Sequence, residues 1–191
     1  SEGHKVITLV RNTSNLQVLN DLPITILKGD VLDSTSLENA MLDNIEVVIS
    51  VIGSDKNIDY VIENGMRNII STMQKHQINK LIAIGGAGIL RNEEHGLLLY
   101  TPHFPSFLKP MAEQHLNAWE IVADSSINYT YICPPRMVDG SFSDEYITQE
   151  DFPIEEMAGK VSYESCADYI VRILDTKLFK NKRISINHKN K

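Results

Sequence analysis

Lys5-Val6-Ile7-Thr8-Leu9-Val10-Arg11 decides how this chain is read: five residues that are apolar or β-branched after the lysine head, closed by a single arginine. A short run that is apolar at nearly every position suits a strand covered on both faces, because alternation is expected only where one face meets water. Five similar runs follow at 24–27, 47–52, 81–84, 129–133 and 183–186. Between them lie stretches of helical character. Thr35-Ser36-Leu37-Glu38 has the form of a capping box, so a short helix is expected to about Met41. From Tyr60 to Lys75, Val61, Ile62, Met66, Ile69, Ile70 and Met73 recur at spacings of three and four, giving one buried stripe, with Gly65 placed for close approach to the sheet. Helices are also expected over Met111 to Ala123 and Cys166 to Leu174, the Met and Trp positions being core.

Strands that alternate with helices predict a parallel sheet with helices on both faces. The chain of 191 residues suits one domain spanning 1–191. With 42% apolar and 23% charged residues it has ordinary globular composition. A net charge of −7 opposes nucleic-acid binding, and no apolar run is long enough to span a bilayer. The basic residues Lys180, Lys182, Arg183, Lys189 and Lys191 read as a solvated end. Cys133 and Cys166 form no recognisable disulfide or zinc pattern, which fits a reducing, cytoplasmic setting. The histidines show no ligand spacing, so no metal is expected. Residues 88–110, with Pro102, Pro105 and Pro110, form the longest irregular stretch and are expected to be a lid or binding loop.

In an open parallel sheet the ligand lies beyond the carboxyl ends of the strands. Those ends here carry Arg11; Gly29, Asp30 and Val31; Val51, Ile52 and Gly53; Gly85, Gly86, Ala87 and Gly88; and Pro134, Pro135 and Arg136. Arg11 stands where an arginine would suit the 2′-phosphate of NADP and a carboxylate the 2′-hydroxyl of NAD, so NADP is expected over NAD. Asp30 either accepts from an adenine amino group or begins a turn.

The succession Leu9-Val10-Arg11-Asn12, Gly29-Asp30-Val31-Leu32-Asp33 and Val48-Ile49-Ser50 with Gly53 resembles the atypical short-chain dehydrogenases, a group that includes NmrA-like proteins and biliverdin-IXβ (flavin) reductase. Ile84-Gly85-Gly86-Ala87-Gly88, His115 ahead of Ile132-Cys133-Pro134-Pro135-Arg136-Met137, and Val161-Ser162 with Ala167-Asp168 extend the likeness over most of the chain. The resemblance implies a Rossmann-like, doubly wound sheet of seven strands binding NADP in extended form. It places the nicotinamide near Gly86, Ala87 and Pro134 to Arg136, and a small-molecule substrate under the 88–110 loop. A flavin-, quinone- or biliverdin-like acceptor, and a monomer or weak dimer, are the expectations. A cofactor-binding sensor without catalysis, or a degenerate domain without nucleotide, are the alternatives.

Two departures matter. No tyrosine is followed four residues later by lysine, so the acid/base pair of ordinary short-chain dehydrogenases is missing. A proton would come from water, from the substrate or from a substitute such as His115. Second, the strand, glycine-rich turn and helix that open the family's fold are missing ahead of Ser1-Glu2-Gly3-His4-Lys5-Val6. That unit is about 25 to 30 residues, and we expect the natural protein to extend before Ser1. Without it the central strand is lost, two neighbouring strands lack a ladder partner, and the pyrophosphate loses its amide cradle. Either the two strands pair directly or another segment fills the gap.

Overall fold

The computed structural model describes residues 3–12, 16, 21–42, 44–54, 60–143, 145–154, 159–176 and 181–189. The first strand, β1 (Val6–Val10), pairs in parallel with β2 (Ile24–Lys28), Val6 opposite Ile24 and Val10 opposite Lys28. Helix α1 (Ser34–Ala40) follows, then β3 (Val48–Ser50), α2 (Val61–Lys75) and β4 (Lys80–Ile84). A two-residue ribbon, β5 (Arg91–Asn92) with β6 (Gly96–Leu97), precedes α3 (Lys109–Ala123) and β7 (Asn128–Cys133). The chain ends through β8 (Arg136–Val138), β9 (Tyr146–Glu150), β10 (Lys160–Ser162), α4 (Tyr163–Thr176) and β11 (Lys182–His188).

Five strands make the main sheet in the order β3-β4-β7-β11-β9, parallel except for β9, which runs antiparallel to β11. Beside it stand the β1-β2 pair and a short parallel pair of β10 with β8. The seven-strand sheet implied by the resemblance is therefore split. Among the described residues β1 and β3 each have a strand partner on one side only, and they do not pair with each other.

The central strands β4 and β7 are buried on both faces, as unbroken apolar runs require. Leu81, Ala83, Tyr129, Tyr131 and Cys133 face the layer containing α2 and α3, while Ile82, Ile132 and Ile186 face Cys166 and Ile173 of α4. The stripe of α2 is wholly inside: Val61, Ile62, Met66, Ile69, Ile70 and Met73 are buried, and each contributes about 1.5–3 kcal/mol on leaving water. Gly65 meets the segments that follow β2 and β3, since a Cβ there would lie 2.9 Å from Val31 and 3.1 Å from Ile52.

All six expected strands form, and the four helices lie close to their expected bounds. The start of α1 differs in its chemistry. Asp33, not Thr35, is the cap: its carboxylate accepts from the amides of Thr35 and Ser36 and from the Ser36 hydroxyl at 2.7 Å. An aspartate ahead of the threonine reaches both free amides and draws the first turn two residues upstream. α3 begins at Lys109 because Pro110 fits a first helical turn, where its missing N–H costs nothing. Among the described residues no helix is long and apolar enough to cross a membrane.

Candidate functional site

The carboxyl ends of β1, β3, β4 and β7 meet the residues expected of a dinucleotide rim. Arg11, Val31, Val51, Ile52 and Gly53 line one cleft of about 740 Å³ with Gly29. Arg11 and Gly53 are exposed, and space around Gly53 is open, with nothing within 4 Å of a Cβ placed there. Asp30 uses a carboxylate oxygen to accept from the Leu32 amide at 2.9 Å, the turn role foreseen as one of its two readings.

The rim continues through β4 and β7. The Gly85 amide donates to the Ile132 carbonyl at 2.7 Å, and the Ala87 amide to the Pro134 carbonyl at 2.9 Å. These bonds hold Gly85-Gly86-Ala87 against Pro134-Pro135. The neighbouring glycines are there for different reasons. A Cβ on Gly85 would sit 2.4 Å from a ring carbon of Tyr131, and one on Gly88 would lie 2.9 Å from Phe104; both positions are fixed by packing. Gly86 is the roomy one, with His115 3.6 Å from a Cβ built on it. Arg136 is exposed on β8, at the outer limit of this group.

His115 projects from α3 toward Gly86 and is 7% exposed. Its Nδ1 has no hydrogen-bond partner among the described residues. Burial disfavours the imidazolium and lowers its pKa from 6.5 to about 4, so the ring is neutral at pH 7. A neutral imidazole can orient a group by hydrogen bonding, but it holds no labile proton of suitable acidity to give to a product. One turn earlier on the same helix face, the Met111 sulfur lies 3.7 Å from the Ser54 hydroxyl at the end of β3. Met111 and His115 thus bridge the β3 end of the rim to the β4 end. Ser54 follows Gly53 at a strand end, where sequence alone places the rim, whereas Met111 reads from sequence as a core position.

A smaller recess of about 260 Å³ opens beside this face between Tyr60, Pro110, Glu113, Gln114 and Asn117. Tyr60 caps α2 with a left-handed backbone (φ 58°) and is exposed.

The 88–110 stretch differs from the lid expected of it. Ile89, Leu90 and Leu99 are buried in the core, and the Leu98 amide donates to the Leu90 carbonyl at 2.9 Å. Its apolar residues leave water as a packed strap, while Tyr100 and Phe107, the latter 80% exposed, stay at the surface. The strap is held from beneath by Arg183, read from sequence as part of a solvated basic end. Arg183 is 6% exposed, with its guanidinium over the Trp119 ring and a donor to the Ile89 carbonyl. Both cysteines are buried and their thiols are pushed up by burial, Cys166 to about 11, which removes them as thiolate nucleophiles at neutral pH.

A dinucleotide fits the two ends of this rim. Arg11 offers a cation where a ribose phosphate would lie, and Gly86 leaves room for a ring beside a neutral His115. Between them the described residues supply no glycine-rich turn of amides.

The profile of a family described as NAD(P)H-binding matches residues 1–177. The chain is 29% identical over 178 residues to the uncharacterized protein YwnB of Bacillus subtilis, covering 91% of this chain and 80% of that one. Its fold is similar to that of a Streptococcus pneumoniae protein assigned as an NADH-flavin reductase, with a TM-score of 0.81 at 23% identity, covering 98% of this chain and 89% of that chain. It is also similar to ChuY, an anaerobilin reductase of Escherichia coli O157:H7, with a TM-score of 0.79 at 17% identity, covering 100% of this chain and 87% of that chain.

Proposed function

The chain belongs to the NAD(P)H-binding family, and we propose that it is an NADPH-dependent reductase of a small conjugated acceptor such as a flavin, quinone or biliverdin-like molecule. The observation that carries this reading is the neutral, buried His115 against Gly86, in a sequence where no tyrosine is followed four residues later by lysine. A conjugated acceptor spreads the incoming electron pair over its own π-system and takes its proton from water, so it needs orientation more than an acid. The functions named for the Streptococcus and Escherichia neighbours are of this class.

In this reading Arg11 holds the 2′-phosphate, Asp30 and Val31 border the adenine, and Val51, Ile52 and Gly53 follow the ribose. Gly85, Gly86, Ala87, Pro134, Pro135 and Arg136 border the nicotinamide. The reduced nicotinamide supplies a hydride. His115 orients the acceptor or the carboxamide through a ring N–H, and Met111, Tyr100 and Phe107 give the acceptor an apolar surface. The protein acts as a monomer or weak dimer in the cytoplasm.

The test is NADPH and NADH oxidation in the presence of a flavin, a quinone and biliverdin in turn, beside calorimetric titration of both nucleotides. Turnover with preference for NADPH supports the proposal. Tight binding without hydride transfer to any acceptor overturns it in favour of a cofactor sensor, for which the missing tyrosine and lysine pair is the motivating observation.

A further inference from the structure

Along β11 the side chains alternate between the two sides of the sheet, Ile184 and Ile186 on one, Arg183, Ser185 and Asn187 on the other. The second set is on the side of α3 and the strap, because Arg183 stacks on Trp119 and bonds the Ile89 carbonyl. All three are buried, on an interior strand whose other face is apolar. Arg183 is engaged there as a brace. Asn187 is not: its Oδ1 is buried with no hydrogen-bond partner among the described residues. Such a group is uncommon in a native fold and calls for a partner from elsewhere.

The register brings Asn187 to the rim. Ser185 stands opposite Cys133, the last residue of β7, so Asn187 lies two residues further on, where Pro134 and Pro135 leave the sheet. β7 runs between β4 and β11. His115, packed near Gly86 just beyond β4, and Asn187 therefore flank the Pro134-Pro135 exit on the same side of the sheet. The strands that end there are two spacings apart, about 10 Å, which suits a planar fused-ring system between them. Each flanking side chain carries an unpartnered polar atom, Nδ1 of His115 and Oδ1 of Asn187.

We infer that Asn187 selects the acceptor, binding the edge of a cyclic amide or imide in which an N–H stands beside a C=O. The inference rests on the reductase reading of the same rim and narrows it to a flavin-like or bilin-like molecule over a quinone.

The unpartnered atom decides the ligand chemistry. A carboxamide oxygen accepts and cannot donate, so its partner must bring a donor. A lactam or imide N–H does so, and the carbonyl beside it accepts from the Asn187 Nδ2–H in return. A quinone offers carbonyl oxygens alone and leaves Oδ1 unpaired. The terminal torsion of an asparagine is broad, so the carboxamide turns toward a ligand at small cost. Its neighbours on this side, Ser185 on β11 and Ile147 and Gln149 on β9, carry no charge. They suit a neutral edge, whereas a carboxylate or phosphate would call for a cation.

The experiment measures NADPH oxidation with riboflavin, riboflavin methylated on its imide nitrogen, biliverdin and menadione, in the parent protein and in Asn187→Leu. In the parent, methylation lowers kcat/KM by about tenfold, the worth of one hydrogen bond to an otherwise unpartnered group. Asn187→Leu lowers kcat/KM by about tenfold for riboflavin and biliverdin and leaves menadione unchanged. It also abolishes the discrimination against the methylated flavin, so the two changes are not additive. If leucine unfolds the protein, the pair of flavins on the parent decides by itself. Binding of both flavins, read by fluorescence quenching, decides where no acceptor is reduced: preference for riboflavin then upholds the role of Asn187 while the reductase reading falls. Turnover with menadione alone does the reverse. Equal use and equal binding of the two flavins by the parent overturns the inference, the carboxamide then serving packing or water only. So does an equal loss on all four acceptors in Asn187→Leu.

Discussion

The guanidinium of Arg183 lies 4.2 Å from the centroid of the Trp119 ring, with Arg183 on the strand beside β7 and Trp119 on the helix above it. The same group donates to the Ile89 carbonyl and comes within 3.5 Å of an Asp151 carboxylate oxygen, and Asp151 in turn accepts the Arg91 amide through its carbonyl at 2.8 Å. One buried cation therefore ties β11, α3 and the start of the packed strap together.

Removing it should be costly. Arg183→Ala leaves the Ile89 carbonyl and the Asp151 carboxylate short of a partner and strips the face of Trp119, and we expect a loss of about 3–5 kcal/mol. Arg183→Lys should recover part of the charge pairing but not the planar stacking. Denaturant unfolding of both variants checks the order; equal stabilities of the Ala and Lys variants would contradict it.

Gly85 and Tyr131 give a second test. With 2.4 Å between a Cβ at Gly85 and a Tyr131 ring carbon, Gly85→Ala should lose about 1–3 kcal/mol. The double variant with Tyr131→Val should lose less than the sum of its two single changes. Tyr131→Phe points the other way: the buried hydroxyl has no partner among the described residues, so its removal should leave thermal stability unchanged or raised.

His115 sets a pH dependence. Its folded pKa of about 4 lies below the ordinary 6.5, so the unfolded state binds the extra proton between those values. Stability from this residue is therefore complete above pH 6.5 and is lost as pH falls toward 4, by about 3 kcal/mol across the window. Replacing it by His115→Gln should flatten the unfolding free energy over that range. A slope identical to that of the parent would show that other groups carry it.

Arg11 tests cofactor choice. Arg11→Ala should weaken NADPH binding by about tenfold while leaving NADH nearly unchanged, the value of one charge-assisted contact to the 2′-phosphate. Calorimetric titration of both nucleotides reads the ratio, and a parallel loss of the two would remove Arg11 from the phosphate site.

The architecture was largely legible in the chain. Apolar runs at 81–84 and 129–133 are strands because only a strand covered on both sides tolerates them, and the stripe from Val61 to Met73 is a helix because its period is that of one face. Short edge elements escaped notice: β8, β9 and β10 carry mixed residues such as Thr148 and Gln149, whose strand state comes from pairing with neighbours. Asp33 overrode the capping box at Thr35 by a competition between two adjacent polar residues that composition does not rank.

By itself the sequence determined the alternation of the principal strands and helices and the apolar stripe of α2, since periodicity and turn chemistry are local. Only the tertiary structure decided that Arg183 is a buried brace, that Gly85 and Gly88 serve packing while Gly86 has room, that His115 is a neutral ring, and that β1 and β3 remain apart. Each of those depends on what a side chain or an edge meets from a distant part of the chain, and burial, desolvation and ladder pairing exist only once those parts have been brought together.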